Sequence, residues 1–92
     1  MKRNRSEALK WFKKSAESGV VNSQYMLRSS LLHGEGVEKD FAEASKWLTL
    51  ACEFHEGARK ELSKLNAEIS PAQMVEGLKR VDEYKNARGE LR

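Results

Sequence analysis

A six-residue pattern occurs twice in this chain of 92 residues, and its two copies begin 36 positions apart. The copies read Glu7-Ala8-Leu9-Lys10-Trp11-Phe12 and Glu43-Ala44-Ser45-Lys46-Trp47-Leu48. Downstream of the first copy, residues 23–27 correspond to residues 58–62 downstream of the second. A repeat of this length predicts stacked helical hairpins, because no single hairpin can bury its apolar face alone.

Apolar residues recur at helical spacing throughout the chain, and no stretch of useful length alternates as a strand does. Start and stop signals predict five helices, at about residues 5–18, 22–33, 40–54, 56–66 and 70–88. The connections between them are short. We therefore predict an all-α chain in which consecutive helices are antiparallel neighbours.

Capping residues support three of these helix starts. Asn4 is a candidate N-cap for the first helix, and Asp40 with Glu43 forms a candidate capping box for the third. The clearest start is Ser70-Pro71-Ala72-Gln73, which combines an N-cap serine, a proline at the first helical position and a glutamine that can return the capping bond.

Three segments together carry a family resemblance: Gly19-x-x-x-Ser23-Gln24-Tyr25-x-Leu27, Gly34-x-Gly36-Val37-x-x-Asp40 and Ala44-x-x-Trp47-x-x-x-Ala51. Over about residues 5–80 the chain closely resembles the Sel1-like repeat, a relative of the tetratricopeptide repeat. The resemblance implies an α/α helical-repeat stack of about five helices. In the loop, the glycines permit a tight turn, Val37 enters the hairpin core and Asp40 caps the next helix.

The resemblance implies one Sel1-like repeat domain over residues 1–92. Its expected parts are the second helix of a truncated repeat, a complete repeat, a partial repeat and a C-terminal capping helix, at residues 5–18, 19–54, 55–69 and 70–88. A fragment of a longer Sel1-like array would show the same pattern, and the sequence does not separate the two.

The apolar face of the first helix suggests self-association. Ala8, Leu9, Trp11 and Phe12 form a broad face with no earlier helix to cover it. An uncovered aromatic face on a small protein marks an interface. We therefore expect a homodimer, in which the first helices pack together or are exchanged between chains.

A second surface is expected on the concave side of the stack. There the second helix would expose Gln24, Arg28, Ser29 and Leu32 to a partner peptide or helix. Arg28 occupies a position where the family usually has glycine, so its side chain must point outward or push neighbouring helices apart.

No catalytic, metal or cofactor site is expected, and the chain is interpreted as a non-enzymatic protein-interaction scaffold. Cys52 and His55 lie three positions apart, but zinc needs three or four ligands and the only other histidine is His33. A catalytic thiol would need a nearby base, which no pattern indicates. Gly34-Glu35-Gly36 is interpreted as a hairpin turn, since it lacks the lysine of a phosphate loop.

Charge leaves one alternative open. Residues 1–14 hold six lysines and arginines against one glutamate, a local balance of +5 in a chain of net charge +3. This could serve nucleic acid or an acidic partner, but we favour a solvated helix face and expect no nucleic-acid partner. No apolar run approaches 18 residues, so no membrane partner is expected. With no secretory signal after Met1, we expect a cytoplasmic protein if Met1 is the natural start.

Overall fold

The repeated pattern folds into five helices in the computed structural model, which describes residues 5–34 and 36–89. In chain order these are α1 (Arg5–Glu17), α2 (Val21–His33), α3 (Phe41–Ala51), α4 (Glu56–Glu68) and α5 (Pro71–Ala87). The described residues contain no strand. The all-α helical-repeat fold is therefore confirmed.

Local capping explains where several helices begin. The side chain of Asp40 accepts a hydrogen bond from the backbone N–H of Glu43 at 3.0 Å. At α5, Ser70 and Gln73 form the complete capping box. The Glu43 carboxylate, expected to return a capping bond, instead accepts from Arg80 and Lys46. Asn4 lies outside the described residues.

The turn between α3 and α4 differs from the prediction. The third helix ends at Ala51, and residues 52–54 form a turn that leads into His55. The reason is the cap of α4, because Nδ1 of His55 accepts from the backbone N–H of Ala58 at 3.1 Å. A capping residue has extended backbone, so the preceding helix must end before it.

The core is centred on α3, which packs against α2, α4 and α5. Four of its residues at helical spacing are almost completely buried: Ala44, Trp47, Leu48 and Ala51. On its other side α2 packs against α1, so α1, α2 and α3 form one continuous layer of neighbours.

The placement of α5 corrects the expectation that all consecutive helices are neighbours. This helix makes its main contact with α3 rather than with α4. The two backbones approach closely at Gly77, where an added Cβ would lie 2.9 Å from Oγ of Ser45 and 3.0 Å from the carbonyl oxygen of Ala42. A glycine on one helix and small residues on the other permit this contact.

Candidate functional site

A stripe of small and aromatic side chains runs along the exposed side of α1. It consists of Ala8, Trp11, Phe12 and Ser15, spaced so that all four share one helix face, and we call it the α1 stripe. Trp11 is 70% exposed and Phe12 is 36% exposed, while Ala8 and Ser15 are half-buried. Within residues 5–34 and 36–89, no helix covers Trp11.

The same stripe on α3 is completely covered. The α3 stripe lies 36 positions later in the sequence and consists of the buried residues Ala44, Trp47, Leu48 and Ala51. Trp47, the counterpart of Trp11, is only 1% exposed. Three helices, α2, α4 and α5, pack against α3, so the α3 stripe is buried by contact with other helices.

Leu9 does not belong to the exposed surface, which corrects the expectation for this residue. It is 7% exposed and lies in the hydrophobic core with Leu27 and Leu31 of α2 and Trp47 of α3. The physical reason is helix geometry, since Leu9 points well away from the direction of Trp11. Of the four predicted self-association residues, Trp11 and Phe12 are therefore exposed, Ala8 is half-buried and Leu9 is buried.

Charged residues of α1 surround Trp11. An open concavity of about 570 Å³ is bordered only by α1 side chains: Glu7, Lys10, Trp11, Lys13, Lys14 and Glu17. All five charged members are exposed. A partner that covers Trp11 must therefore also meet a mixed but mainly positive rim.

On the concave side, Gln24 corrects a second expectation. It is 3% exposed, and its side-chain amide donates to the carbonyl oxygen of Ala16 at 3.0 Å. This bond satisfies one of the carbonyl groups at the end of α1 that have no partner within the helix. Gln24 thus ties α2 to α1 and is unavailable to a peptide in the groove.

Arg28 joins α2 to α4. Its guanidinium lies over the ring of Tyr25 at 4.1 Å and donates to the Tyr25 hydroxyl at 3.1 Å. Its Nε lies 3.5 Å from a carboxylate oxygen of Glu61 on α4. Tyr25 in turn stacks on His55, with ring centroids 4.1 Å apart. The long side chain therefore lies half-buried across the helix pair.

The other two groove candidates are also half-buried. Leu32 packs against the core and lines a groove of about 430 Å³ that Glu61 also borders. The carbonyl oxygen of Ser29 lies 2.9 Å from Nδ1 of His33. The structure thus brings Arg28 and Leu32 to the side of α2 that faces Glu61.

The loop after α2 has the backbone that its glycines suggest. Gly34 and Gly36 have φ angles of +73° and +83°, and the N–H of Gly34 donates to the carbonyl of Ser30. Val37 packs against the core. This loop directs Asp40 to the start of α3.

A contact between α5 and the end of α1 was not predicted. The Tyr84 hydroxyl lies 3.2 Å from the carbonyl oxygens of both Ala16 and Glu17, and Arg88 donates to Glu17 at 2.9 Å. Tyr84 also meets Trp47 edge-on, with ring centroids 5.5 Å apart. These contacts close the end of the stack near α1.

A third copy of the repeated pattern could have located α5. The segment Glu76-Gly77-Leu78-Lys79-Arg80-Val81 follows the second copy by 33 positions. It keeps the glutamate, the small residue and the lysine, but arginine replaces tryptophan. Gly77 and Val81 are buried, as are Ala44 and Leu48 at the equivalent positions.

Arg80, which stands at the tryptophan position of the third copy, connects α5 to α3. It donates to Glu76 at 2.9 Å, to Asp40 at 3.1 Å and to Glu43 at 2.9 Å. The hydrogen bond to Glu76, followed by the interactions with Asp40 and Glu43, raises the pKa of Arg80 above its ordinary value, while burial opposes this. The network joins α5 to the first turn of α3.

A family model for the Sel1 repeat matches residues 1–20 and 21–53, which is more than half of the chain. The chain belongs to the Sel1 repeat family. Sel1 repeats generally mediate protein–protein interactions and are typically non-catalytic scaffolds. No curated protein and no solved structure matches the chain.

Within the Sel1 repeats, α1 and α3 are equivalent helices, and the repeat pattern makes the α1 stripe a candidate site. Its counterpart on α3 is buried among the helices packed against α3, namely α2, α4 and α5. The two matched segments contain both stripes. The contrast between them is therefore a contrast between two copies of one motif.

The side chains of Cys52 and His55 in this Sel1 repeat chain both make hydrogen bonds to the backbone. Sγ of Cys52 donates to the carbonyl of Thr49 at 3.1 Å, and His55 caps α4. Across the described part of the chain, no group of three or more His, Cys, Asp and Glu side chains is placed to hold a metal ion. The helices described there are also too short or too polar to cross a membrane.

Proposed function

We propose that this Sel1 repeat chain is a non-enzymatic protein-interaction module that associates with a second copy of itself through the α1 stripe. The exposure of Trp11 beside the burial of Trp47 carries this proposal. A tryptophan side chain can bury roughly 200 Å². Because 70% of Trp11 is exposed, covering it would remove roughly 140 Å² from water, which at about 25 cal/mol per Å² contributes roughly 3.5 kcal/mol before the costs of association.

A homodimer is the simplest association that such a stripe supports. In a two-fold interface the same patch is used by both copies, so one exposed stripe is enough to close the assembly. Trp11 and Phe12 supply the aromatic anchors that protein interfaces favour.

The fluorescence of Trp11 tests the proposal, because the two tryptophans can be separated. In a Trp47→Phe variant that retains wild-type helicity, Trp11 is the only indole. Its emission is expected to shift to shorter wavelength, and its quenching by acrylamide to fall, as the protein concentration rises through the micromolar range. The matched control is Trp11→Phe, in which the buried Trp47 reports and its emission stays constant. An emission from Trp11 that stays solvent-like at every concentration would contradict the proposal.

A second candidate partner is an acidic polymer, favoured by Lys10, Lys13 and Lys14 around Trp11. Binding of an oligonucleotide would then quench Trp11 and weaken steeply with salt. Quenching that survives replacement of all three lysines by glutamine would exclude this candidate.

A further inference from the structure

We propose that two copies pair through α1 in an antiparallel, two-fold arrangement that brings Glu7 of each copy to Lys14 of the other. This arrangement rests on the proposed function, since it specifies how the second copy covers the α1 stripe. It names the register of the two helices and the charges that flank the contact.

The first support is the order of residues along the stripe. From Ala8 to Ser15 the side chains are small, aromatic, aromatic and small. The midpoint of this order lies between Trp11 and Phe12. A two-fold axis at that point sets Trp11 of one copy against Phe12 of the other, and Ala8 against Ser15. The aromatic side chains then meet at the centre, while the small residues let the helix ends approach.

The second support is charge complementarity beside the stripe. Glu7 and Lys14 are exposed and border the same concavity as Trp11. In the antiparallel register, residue 7 of one copy lies about 3 Å along the helix axis from residue 14 of the other. In a parallel register the same residues lie about 10 Å apart along the axis. Only the antiparallel register therefore forms two symmetric ion pairs across the contact.

The other faces of α1 are compatible with this pairing. Leu9 and Ala16 are buried against the hairpin core and stay there. The end of α1 is held by Gln24, Tyr84 and Arg88, which all bond to carbonyl oxygens of Ala16 or Glu17. The pairing surface is thus presented by a helix whose orientation is already set.

Charge reversal tests the register. Glu7→Lys and Lys14→Glu each place two like-charged pairs across the homodimer, so each variant alone should dimerise about tenfold more weakly than the wild type. A mixture of the two variants restores both ion pairs. With one variant labelled with ¹⁵N, native mass spectrometry of an equimolar mixture should therefore show heterodimer well above the statistical half.

Two further variants control for net charge. Glu53→Lys and Lys60→Glu make the same charge changes at exposed positions outside α1. Their homodimers should be as strong as the wild type, and their mixture should be statistical.

The outcomes separate the register from the proposed function. A statistical mixture of Glu7→Lys and Lys14→Glu overturns the antiparallel register. If the wild type still dimerises and Trp11 still reports burial, the proposed function survives that result. A wild type that never dimerises overturns both.

Discussion

Trp11 and Trp47 occupy the same position in two copies of one repeat, yet 70% of Trp11 is exposed and only 1% of Trp47 is. The backbone around both residues is helical, and both follow a Glu-Ala-x-Lys segment. The difference therefore arises from packing, because α2, α4 and α5 surround α3, and Tyr84 of α5 meets the Trp47 ring edge-on. This contrast is the observation on which we base the proposal that α1 carries a binding face.

The two tryptophans should differ sharply in their effect on stability. Trp47→Ala leaves a cavity among Ala44, Leu48 and Ala51, so the free energy of unfolding should fall by about 3–5 kcal/mol. Trp11→Ala should change the stability of the dilute monomer by only about 0.5 kcal/mol. Urea unfolding followed by circular dichroism at low micromolar concentration measures both. Equal losses would mean that Trp11 supports the monomer fold.

Gly77→Ala should destabilise the chain, although alanine is the better helix former. The added Cβ would lie 2.9 Å from Oγ of Ser45, and overpacking at a helix contact costs about 1–3 kcal/mol. Helix propensity alone would stabilise the variant by about 1 kcal/mol. The sign of the change in thermal unfolding temperature therefore decides the point. A more stable variant would contradict the close contact between α3 and α5.

Arg80→Met should loosen α5 from α3. The substitution removes the guanidinium group that donates hydrogen bonds to the carboxylates of Asp40 and Glu43. Partly exposed ion pairs of this kind contribute about 1 kcal/mol in total to stability. Amide hydrogen exchange should accelerate in α5 more than in α2. Arg80→Lys keeps the charge but lacks the planar guanidinium group. Its exchange rate in α5 should lie between those of the wild type and Arg80→Met.

The pKa of Arg80 also determines how its contribution depends on pH. Because the folded state raises this pKa, the stabilisation is complete below the ordinary pKa of arginine and is lost only as pH rises through the folded value. Deprotonation of Arg80 should therefore remove no stability between about pH 6 and 10. In Arg80→Lys the ordinary pKa is about 10.4, so a loss of stability should enter at lower pH than in the wild type. Identical alkaline profiles for the two proteins would contradict this assignment.

His55→Ala should lower the free energy of unfolding by about 1 kcal/mol, because it removes the N-cap of α4. It also removes the ring that stacks on Tyr25. His55→Asn separates these effects, since asparagine can cap the helix but cannot stack in the same way. Thermal unfolding should rank the wild type first, His55→Asn second and His55→Ala last. Equal stability of the alanine and asparagine variants would exclude the capping role.

Helical spacing and the capping residues predicted the helices, because both features depend on residues that are close in sequence. Helical spacing and the Ser70 capping box depend only on neighbouring residues, and the structure shows them where expected. The burial of Gln24 could not be predicted from neighbouring residues, because the carbonyl group that accepts a hydrogen bond from its side-chain amide belongs to α1. The polar character of glutamine suggested exposure, and only the tertiary contact reverses that.

The position of α5 was missed for a different reason. Its copy of the pattern replaces tryptophan by Arg80 and alanine by Gly77, and those changes hide the match. Both replacements serve the same contact, because glycine permits the close approach and arginine reaches the carboxylates of α3.

The absolute mass in solution tests the central claim most directly. Light scattering after size exclusion, over a micromolar concentration series, should show the wild type passing from 10.5 kDa to twice that mass. Trp11→Ala should remain at the mass of one chain, while Phe54→Ala, which removes an equally exposed aromatic residue outside α1, should behave as the wild type does. A wild-type mass of one chain at every concentration would contradict the account.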